Sequence, residues 1–113
     1  MGGLAMQRCV VQTAVDVVGG KWKPGILYRL QGQTIRFADL VRQMPWISER
    51  VLIRQLRELE ADGIVARIDH GTRPPRVEYR LTEYGETLRP LLAEMGRWGA
   101  GHLAYEAAAN AAE

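Results

Sequence analysis

Several residue types are scarce in this chain of 113 residues, and each scarcity argues against a class of protein. Cys9 is the only cysteine, so no disulfide can form within the chain, and a reducing cytoplasm is the expected environment. The two histidines have no cysteine or acidic residue at ligand spacing, so neither a metal site nor a cofactor is predicted. No apolar run approaches the roughly 18 residues of a membrane span. The first six residues also lack the basic and apolar segments of a signal peptide.

Catalytic residues are not indicated either. The chain has no glycine-rich loop that would hold a phosphate, and its single cysteine has no recognisable base. We therefore expect a protein that is not an enzyme. The length fits one domain over residues 1–113. A chain this short buries a modest fraction of its surface, so a partner subunit would help to stabilise it.

The basic residues are concentrated in the first half of the chain, although the net charge is only +2. Up to Arg57 there are nine basic and three acidic residues, whereas six basic and ten acidic residues follow from Glu58 onward. This asymmetry suggests that one side of the molecule faces a polyanion. The alternative is that these charges only solvate the surface.

Apolar spacing and helix-breaking residues divide the chain into an ordered series of helices and strands. The predicted elements are a helix over 11–18 that stops at Gly19-Gly20, a helix from Lys23 to Gly32 with Pro24 in its first turn, a short strand over 34–36, a helix over 37–44, a helix over 48–62 that Ser48 caps, strands over 64–69 and 76–81, and a last helix from Thr82 that Pro90 should kink. This order predicts a mainly α chain with a small antiparallel β-hairpin. It is that of a winged helix-turn-helix with one extra helix at each end.

The fourth predicted helix carries three leucines on one side and three arginines on the other. At 100° per residue Leu52, Leu56 and Leu59 share one narrow sector, and Arg50, Arg54 and Arg57 cluster opposite them. Such a helix can pack on a core and present guanidinium groups to the major groove of DNA, where arginine bonds guanine or neutralises phosphates.

Positions along this helix separate two kinds of expected DNA contact. Residues near the N-terminus of such a helix usually reach the base edges, so Arg50, Ile53 and Arg54 are predicted to read bases. Ile53 would touch a thymine methyl group. Arg57 is predicted to contact a phosphate. The alternative is an ordinary amphipathic helix whose polar face is only solvated.

The loop between the two strands is the second candidate DNA contact. Arg73 lies at its tip and Arg76 at the base of the second strand, beside two prolines that stiffen the loop. A rigid arm that carries arginine suits a narrow minor groove, whose negative potential attracts the cation. A solvated loop whose prolines only restrict the turn is the alternative.

Taken together, these stretches resemble the HxlR-type regulators, a branch of the MarR-like winged-helix proteins. The resemblance covers roughly residues 9–99, in the family's order. The matching stretches are Gly19-Gly20-Lys21-Trp22, Arg36-Phe37-Ala38-Asp39-Leu40, Ile47-Ser48, the segment from Leu56 to Val65, the segment from Pro75 to Thr82, and Gly85.

The resemblance implies a dimeric transcription factor, expected to be a repressor, that reads a near-palindromic operator in double-stranded DNA. Lys21 and Arg36 would support contacts to the DNA backbone, with Ser48 approaching the DNA from the turn. Trp22 would lie in the core. Trp46 stands where the family usually has a small residue in that turn.

The first and last helices, residues 9–19 and 82–106, would form the dimer interface in such a protein. The candidate interface residues are Val11, Val15, Leu88, Leu92, Met95 and Trp98. An apolar stripe of this kind is what a helix–helix interface requires, and a ligand cavity between subunits is the alternative. Residues 1–8 are expected to be a flexible N-terminus, and residues 107–113 either extend the last helix or fray.

Cys9 is a candidate redox sensor. Some HxlR-type proteins respond to electrophiles or oxidants through a cysteine just before the first helix, and Cys9 occupies that place, although Val10 follows it where a proline is common. A thiol near a helix N-terminus and next to Arg8 is expected to be reactive. The alternative is a small buried apolar residue. If Cys9 is a sensor, a small-molecule or electrophilic effector would act at its thiol.

A different class of function also fits the pattern of charges. The arginines of a winged helix can meet an acidic protein partner instead of DNA. Nucleic-acid binding would then be weak and would show no preference among sequences.

Overall fold

The structure is a computed structural model, and it describes residues 9–112. Its helices and strands follow the predicted order, with one additional helix boundary near the C-terminus. The helices are α1 Val10–Val18, α2 Lys23–Leu30, α3 Phe37–Gln43, α4 Glu49–Ala61, α5 Glu83–Glu86 and α6 Arg89–Ala111; the strands are β1 Ile35–Arg36, β2 Val65–Asp69 and β3 Val77–Leu81. The winged helix-turn-helix fold that the sequence predicted is confirmed.

The helix boundaries follow from local chemistry. Pro24 lies in the first turn of α2, where its missing N–H breaks no intrahelical hydrogen bond. The Ser48 side chain caps α4 by accepting a hydrogen bond from the Val51 N–H at 3.2 Å. At the other end of α4, Gly63 adopts a φ of +76°, a left-handed conformation that favours glycine and ends the helix.

The sheet has three antiparallel strands in the order β1-β3-β2. Strands β2 and β3 form the wing hairpin, with Val65 opposite Leu81 and Asp69 opposite Val77. The two-residue strand β1 pairs along the other edge of β3, where Ile35 lies opposite Tyr79. Because β1 leads directly into α3, this pairing attaches the wing to the helix-turn-helix.

The core lies between α2, α3, α4 and the inner face of the sheet. Alternation along β3 points Tyr79 and Leu81 inward, whereas Arg80 between them is exposed. The largest fully buried side chains are Ile26, Leu27, Leu30, Leu40, Met44, Leu52, Leu56 and Leu59.

A close backbone approach fixes the start of the C-terminal helices. The Thr82 hydroxyl donates to the carbonyl oxygen of Gly63 at 2.6 Å and accepts from the Gly85 N–H at 2.9 Å. A Cβ atom on Gly85 would lie 2.1 Å from the carbonyl oxygen of Ile64, so only glycine fits there. These contacts hold α5 against the base of the wing.

The prediction of one last helix kinked at Pro90 is wrong. The chain forms the short helix α5, leaves it at Thr87 and Leu88, and begins α6 at Arg89. Pro90 therefore lies in the first turn of a new helix, where its missing N–H removes no hydrogen bond. A break before the proline avoids the clash that a proline makes with the preceding turn inside a helix.

The alanine-rich C-terminal segment is helical as far as Ala111, so of the two alternatives for residues 107–113 the described part extends α6. The predicted flexible N-terminus, residues 1–8, lies outside the described residues. Within residues 9–112, no helix is both long enough and apolar enough to cross a bilayer.

Candidate nucleic-acid interface

Helix α4 has a fully buried side and a charged outer side. Leu52, Leu56 and Leu59 each have no exposed surface and belong to the core cluster. The leucines fix the rotation of the helix about its axis, and the Ser48 cap fixes where its first turn begins. The outer side is therefore set by the packing of the inner side.

The three arginines of α4 are exposed on that outer side. Within residues 9–112, none of Arg50, Arg54 and Arg57 forms an ion pair or donates a side-chain hydrogen bond to another residue. Together with the half-buried Ile53 they line one shallow depression of about 560 Å³. The structure thus brings together the four residues that the sequence predicted to contact bases and phosphate.

An ion pair between α2 and α4, with a buried lysine and a half-exposed glutamate, was not found from the sequence. The Lys23 ammonium lies 2.6 Å from Oε1 of Glu58, and Lys23 is almost completely buried. The hydrogen bond from Lys23, and then its charge, hold the pKa of Glu58 below its ordinary value. The pair fastens α4 to α2 and balances the negative charge of a carboxylate that lies one turn beyond Arg54.

In the wing, the two predicted arginines are placed differently. Arg73 is exposed in the loop between β2 and β3. Arg76 is also exposed, but its guanidinium lies 3.2 Å from one carboxylate oxygen of Glu78. The other carboxylate oxygen of Glu78 lies 2.6 Å from a ring nitrogen of His70. The hydrogen bond from His70, followed by that from Arg76, lowers the pKa of Glu78. Arg76 is therefore held in place by an acidic neighbour, whereas Arg73 has no such partner within the described chain.

The remaining predicted DNA contacts flank α2 and α3. Lys21 is exposed, and its ammonium lies 4.9 Å from the centre of the Trp22 ring, which packs partly buried against the core. Arg36 is exposed and occupies the N-cap position of α3. Trp46 is exposed in the turn before α4, with the Arg29 guanidinium 5.7 Å from its ring centre.

The predicted interface residues divide into two groups. Leu92 is buried and Leu88 is half-buried against the core of the same chain, so these two anchor α6 and leave little surface for a partner. The other four, which are exposed, are Val11, Val15, Met95 and Trp98. Sequence spacing could not separate these groups, because it placed all six on apolar faces of predicted helices.

Cys9 is exposed and immediately precedes α1, as the residue that caps it, with no side-chain cap hydrogen bond. The alternative of a buried thiol does not describe this chain taken alone. Beside α1, an apolar depression of about 230 Å³ is lined by residues that include Val10, Val17, Tyr84 and Leu88.

Comparisons with known proteins agree with this architecture. Residues 17–107 match the model of the HxlR-like helix-turn-helix family. The chain is 48% identical over 93 residues to YybR, an HTH-type transcriptional regulator of Bacillus subtilis, and the match covers 82% of this chain and 74% of YybR.

Several solved structures also resemble this chain. The reduced form of the redox regulator HypR superposes with a TM-score of 0.79 at 46% identity and covers 82% of this chain and 92% of that one. The reduced form of the transcriptional regulator YodB from B. subtilis gives a TM-score of 0.71 at 33% identity, over 80% and 90% of the two chains. With its exposed arginine face on α4, its wing and its matched sequence, the chain belongs to the HxlR-like helix-turn-helix family of DNA-binding transcriptional regulators.

Proposed function

We propose that this regulator binds a near-palindromic operator as a homodimer and represses transcription there. The observation that carries the proposal is the outer side of α4, where Arg50, Arg54 and Arg57 are exposed and free of ion pairs within residues 9–112. A helix of this width fits the major groove, and unpaired guanidinium groups lose no internal partner when they bind DNA.

The residues near the start of α4 read the sequence in this proposal. Arg50 and Arg54 donate to guanine acceptors, and Ile53 between them contacts a thymine methyl group. Arg57, one turn further on, neutralises a phosphate. The backbone contacts are completed by Lys21, Arg36, Ser48 and Arg76, and Arg73 enters the minor groove from the wing.

The dimer would form through α1 and α6. Val11, Val15, Met95 and Trp98 expose apolar surface that a single chain cannot cover, and Trp98 alone is 72% exposed. Exposed apolar residues on the two terminal helices favour burial against the same surfaces of a second copy. Two recognition helices related by a two-fold axis then reach half-sites about one helical turn apart.

Regulation by oxidation is proposed for Cys9. HypR is a redox regulator solved in reduced and oxidised forms, and YodB has been solved in reduced and diamide-treated forms. Cys9 is exposed, so an oxidant reaches it in the single chain. Oxidation by diamide would join two Cys9 thiols of different chains, or Cys9 and a small thiol, while diamide takes up two electrons and two protons.

The test of DNA reading is selection of bound duplexes from a random pool, followed by affinity measurements at several salt concentrations. We expect an enriched near-palindrome, bound at roughly 10⁻⁸ to 10⁻¹¹ M. A reporter whose promoter overlaps that sequence should be less active when the protein is present. Weak binding without sequence preference would instead support a winged helix that meets an acidic protein, and would contradict the proposal.

The test of the thiol is a non-reducing gel with and without diamide, run beside the Cys9→Ser variant. We expect a diamide-dependent dimer band or a mass increase from an added thiol, together with a change in operator binding, in the wild-type protein alone. Unchanged migration, mass and DNA binding after diamide would contradict a sensing role for Cys9.

A further inference from the structure

An exposed tryptophan lies at the centre of the turn between α3 and α4. The Ile47 N–H donates to the carbonyl oxygen of Met44 at 3.2 Å, so Pro45 and Trp46 are the central residues of a β-turn. Met44 and Ile47 are buried, whereas Trp46 is 59% exposed. Among residues 9–112, the Trp46 indole N–H donates no hydrogen bond. The two buried ends of the turn therefore hold outward a ring and a polar N–H that the single chain does not use.

Arg29 of α2 lies beside this ring. Its guanidinium is 5.7 Å from the ring centre of Trp46, within the range of a cation–π contact. Arg29 also donates from Nη1 to the carbonyl oxygen of Gly25 at 2.9 Å, and it forms no ion pair with any described residue. A carbonyl and a ring thus fix the half-buried Arg29, while most of its N–H donors and its whole charge remain for an anion. We call these two side chains the Arg29–Trp46 pair.

The pair lies where α2 flanks the N-terminal end of α4. The Lys23–Glu58 ion pair shows that α2 packs along the side of α4 that carries Glu58. Arg54 precedes Glu58 by one turn on this side. Trp46 comes two residues before Ser48, which caps α4. The Arg29–Trp46 pair therefore borders the arginine side of α4 near its first turn.

A helix in the major groove is bordered by the two sugar–phosphate backbones. The groove is about 12 Å wide, and a helix with its side chains is about 10–12 Å in diameter. The helix therefore fills the groove, and a surface beside it meets sugars and phosphates instead of base edges.

We propose that the Arg29–Trp46 pair contacts the DNA backbone beside α4. The indole ring packs against a deoxyribose, its N–H donates to a phosphate oxygen, and Arg29 neutralises a phosphate. This inference rests on the proposed function, which places α4 in the major groove. Such contacts position a protein on the duplex but carry no sequence information of their own.

The direct test follows fluorine NMR of the full chain, labelled with fluorinated tryptophan, while operator DNA is added. The chain has three tryptophans, and Trp46→Phe identifies the resonance of Trp46. That resonance should shift and saturate with the operator. The resonance of Trp98, which is exposed on α6, should stay unchanged. A Trp46 resonance that does not move when the operator binds would overturn the inference.

Removal of the ring tests its share of the affinity. Trp46→Ala should weaken binding about tenfold, alike for operator and mismatched duplexes, because a backbone contact is lost. The salt slope should stay the same, since indole carries no charge. Tyr28→Ala is the matched control, because Tyr28 is an exposed aromatic residue of α2 that points about 100° away from Arg29. Equal weakening by both substitutions would contradict a specific contact.

Removal of the charge tests the other half of the pair. Arg29→Gln should weaken binding and reduce the salt slope by about 1, and Arg29→Lys, which keeps the charge, should restore the slope. Affinities of Trp46→Ala and Arg29→Gln that equal the wild-type value would overturn the inference alone. Failure of the wild-type protein to bind any operator would overturn the proposed function instead.

Discussion

Helices α4 and α6 both carry apolar side chains, but those side chains differ in how far the single chain buries them. In α4 the three leucines are fully buried and every arginine on the opposite side faces solvent. In α6 only Leu92 is buried, while Met95 and Trp98 remain exposed. The packing of α4 is complete within one chain. The packing of α6 is incomplete, and a second copy is the proposed completion.

The sharpest way to break this comparison is to remove a leucine of α4. Leu56→Ala should lower the free energy of unfolding by about 2–5 kcal/mol, because the lost contacts leave a cavity in the core. Chemical denaturation at several protein concentrations measures the free energy of unfolding, and its decrease should be the same at each concentration. Leu103→Ala on α6, which is exposed, should change the unfolding of the monomer by less than about 0.5 kcal/mol. Similar losses in both variants would contradict the comparison.

The second test removes the most exposed predicted interface residue of α6. Trp98→Ala should raise the dimer dissociation constant at least about thirtyfold, as expected when a buried aromatic residue is lost from an interface. Sedimentation equilibrium measures it. Tyr28→Ala is the matched control, since Tyr28 is equally exposed but lies on α2. A monomeric wild-type protein, or equal effects of both substitutions, would contradict the proposed interface.

The third test compares two arginines on the same face of α4. Arg54→Ala should cost about 1–3 kcal/mol of discrimination between operator and mismatched duplexes, because a base contact is lost. Arg57→Ala should weaken binding to all sequences alike and reduce the salt slope by about 1, because a phosphate contact is lost. Competition binding at several salt concentrations measures both. Equal effects on specificity would refute the division of roles.

The smallest expected effect concerns how α4 is held. Lys23 lowers the pKa of Glu58, so the pair contributes stability above the ordinary value of 4.5 and loses it as the pH falls through the lowered value in the folded state. Glu58→Gln should therefore be less stable than the wild type at neutral pH, and the difference should shrink on acidification. Lys23→Met should flatten the pH dependence in the same way, whereas parallel curves would contradict the assignment.

Much of the DNA-binding unit was predictable because its signals are local. The Ser48 cap, the leucine spacing of α4 and the alternation along β3 each depend on residues within a few positions of one another. The Lys23–Glu58 pair was not predictable in this way, since 35 positions separate its members. The depression that Arg57 and Arg67 both line was missed for the same reason, because β2 lies beside α4 only in the folded chain.

Pro90 shows where a local rule permits two outcomes. A proline disfavours the interior of a helix, and both a kink and a new helix start satisfy that constraint. The structure has the new start because Thr82 and Gly85 hold α5 against the base of the wing. That anchor involves the carbonyl oxygens of Gly63 and Ile64, which are distant in the chain.

The sequence alone determined the order of the helices and strands as far as β3 and which face of α4 is apolar, since spacing and capping act over a few residues. Only the tertiary structure decided which apolar residues of α6 stay exposed, which charges pair, and which of them line a common groove. The physical reason is that burial and ion pairing depend on side chains that come together from distant parts of the chain. A local sequence pattern does not indicate which of these side chains will be in contact.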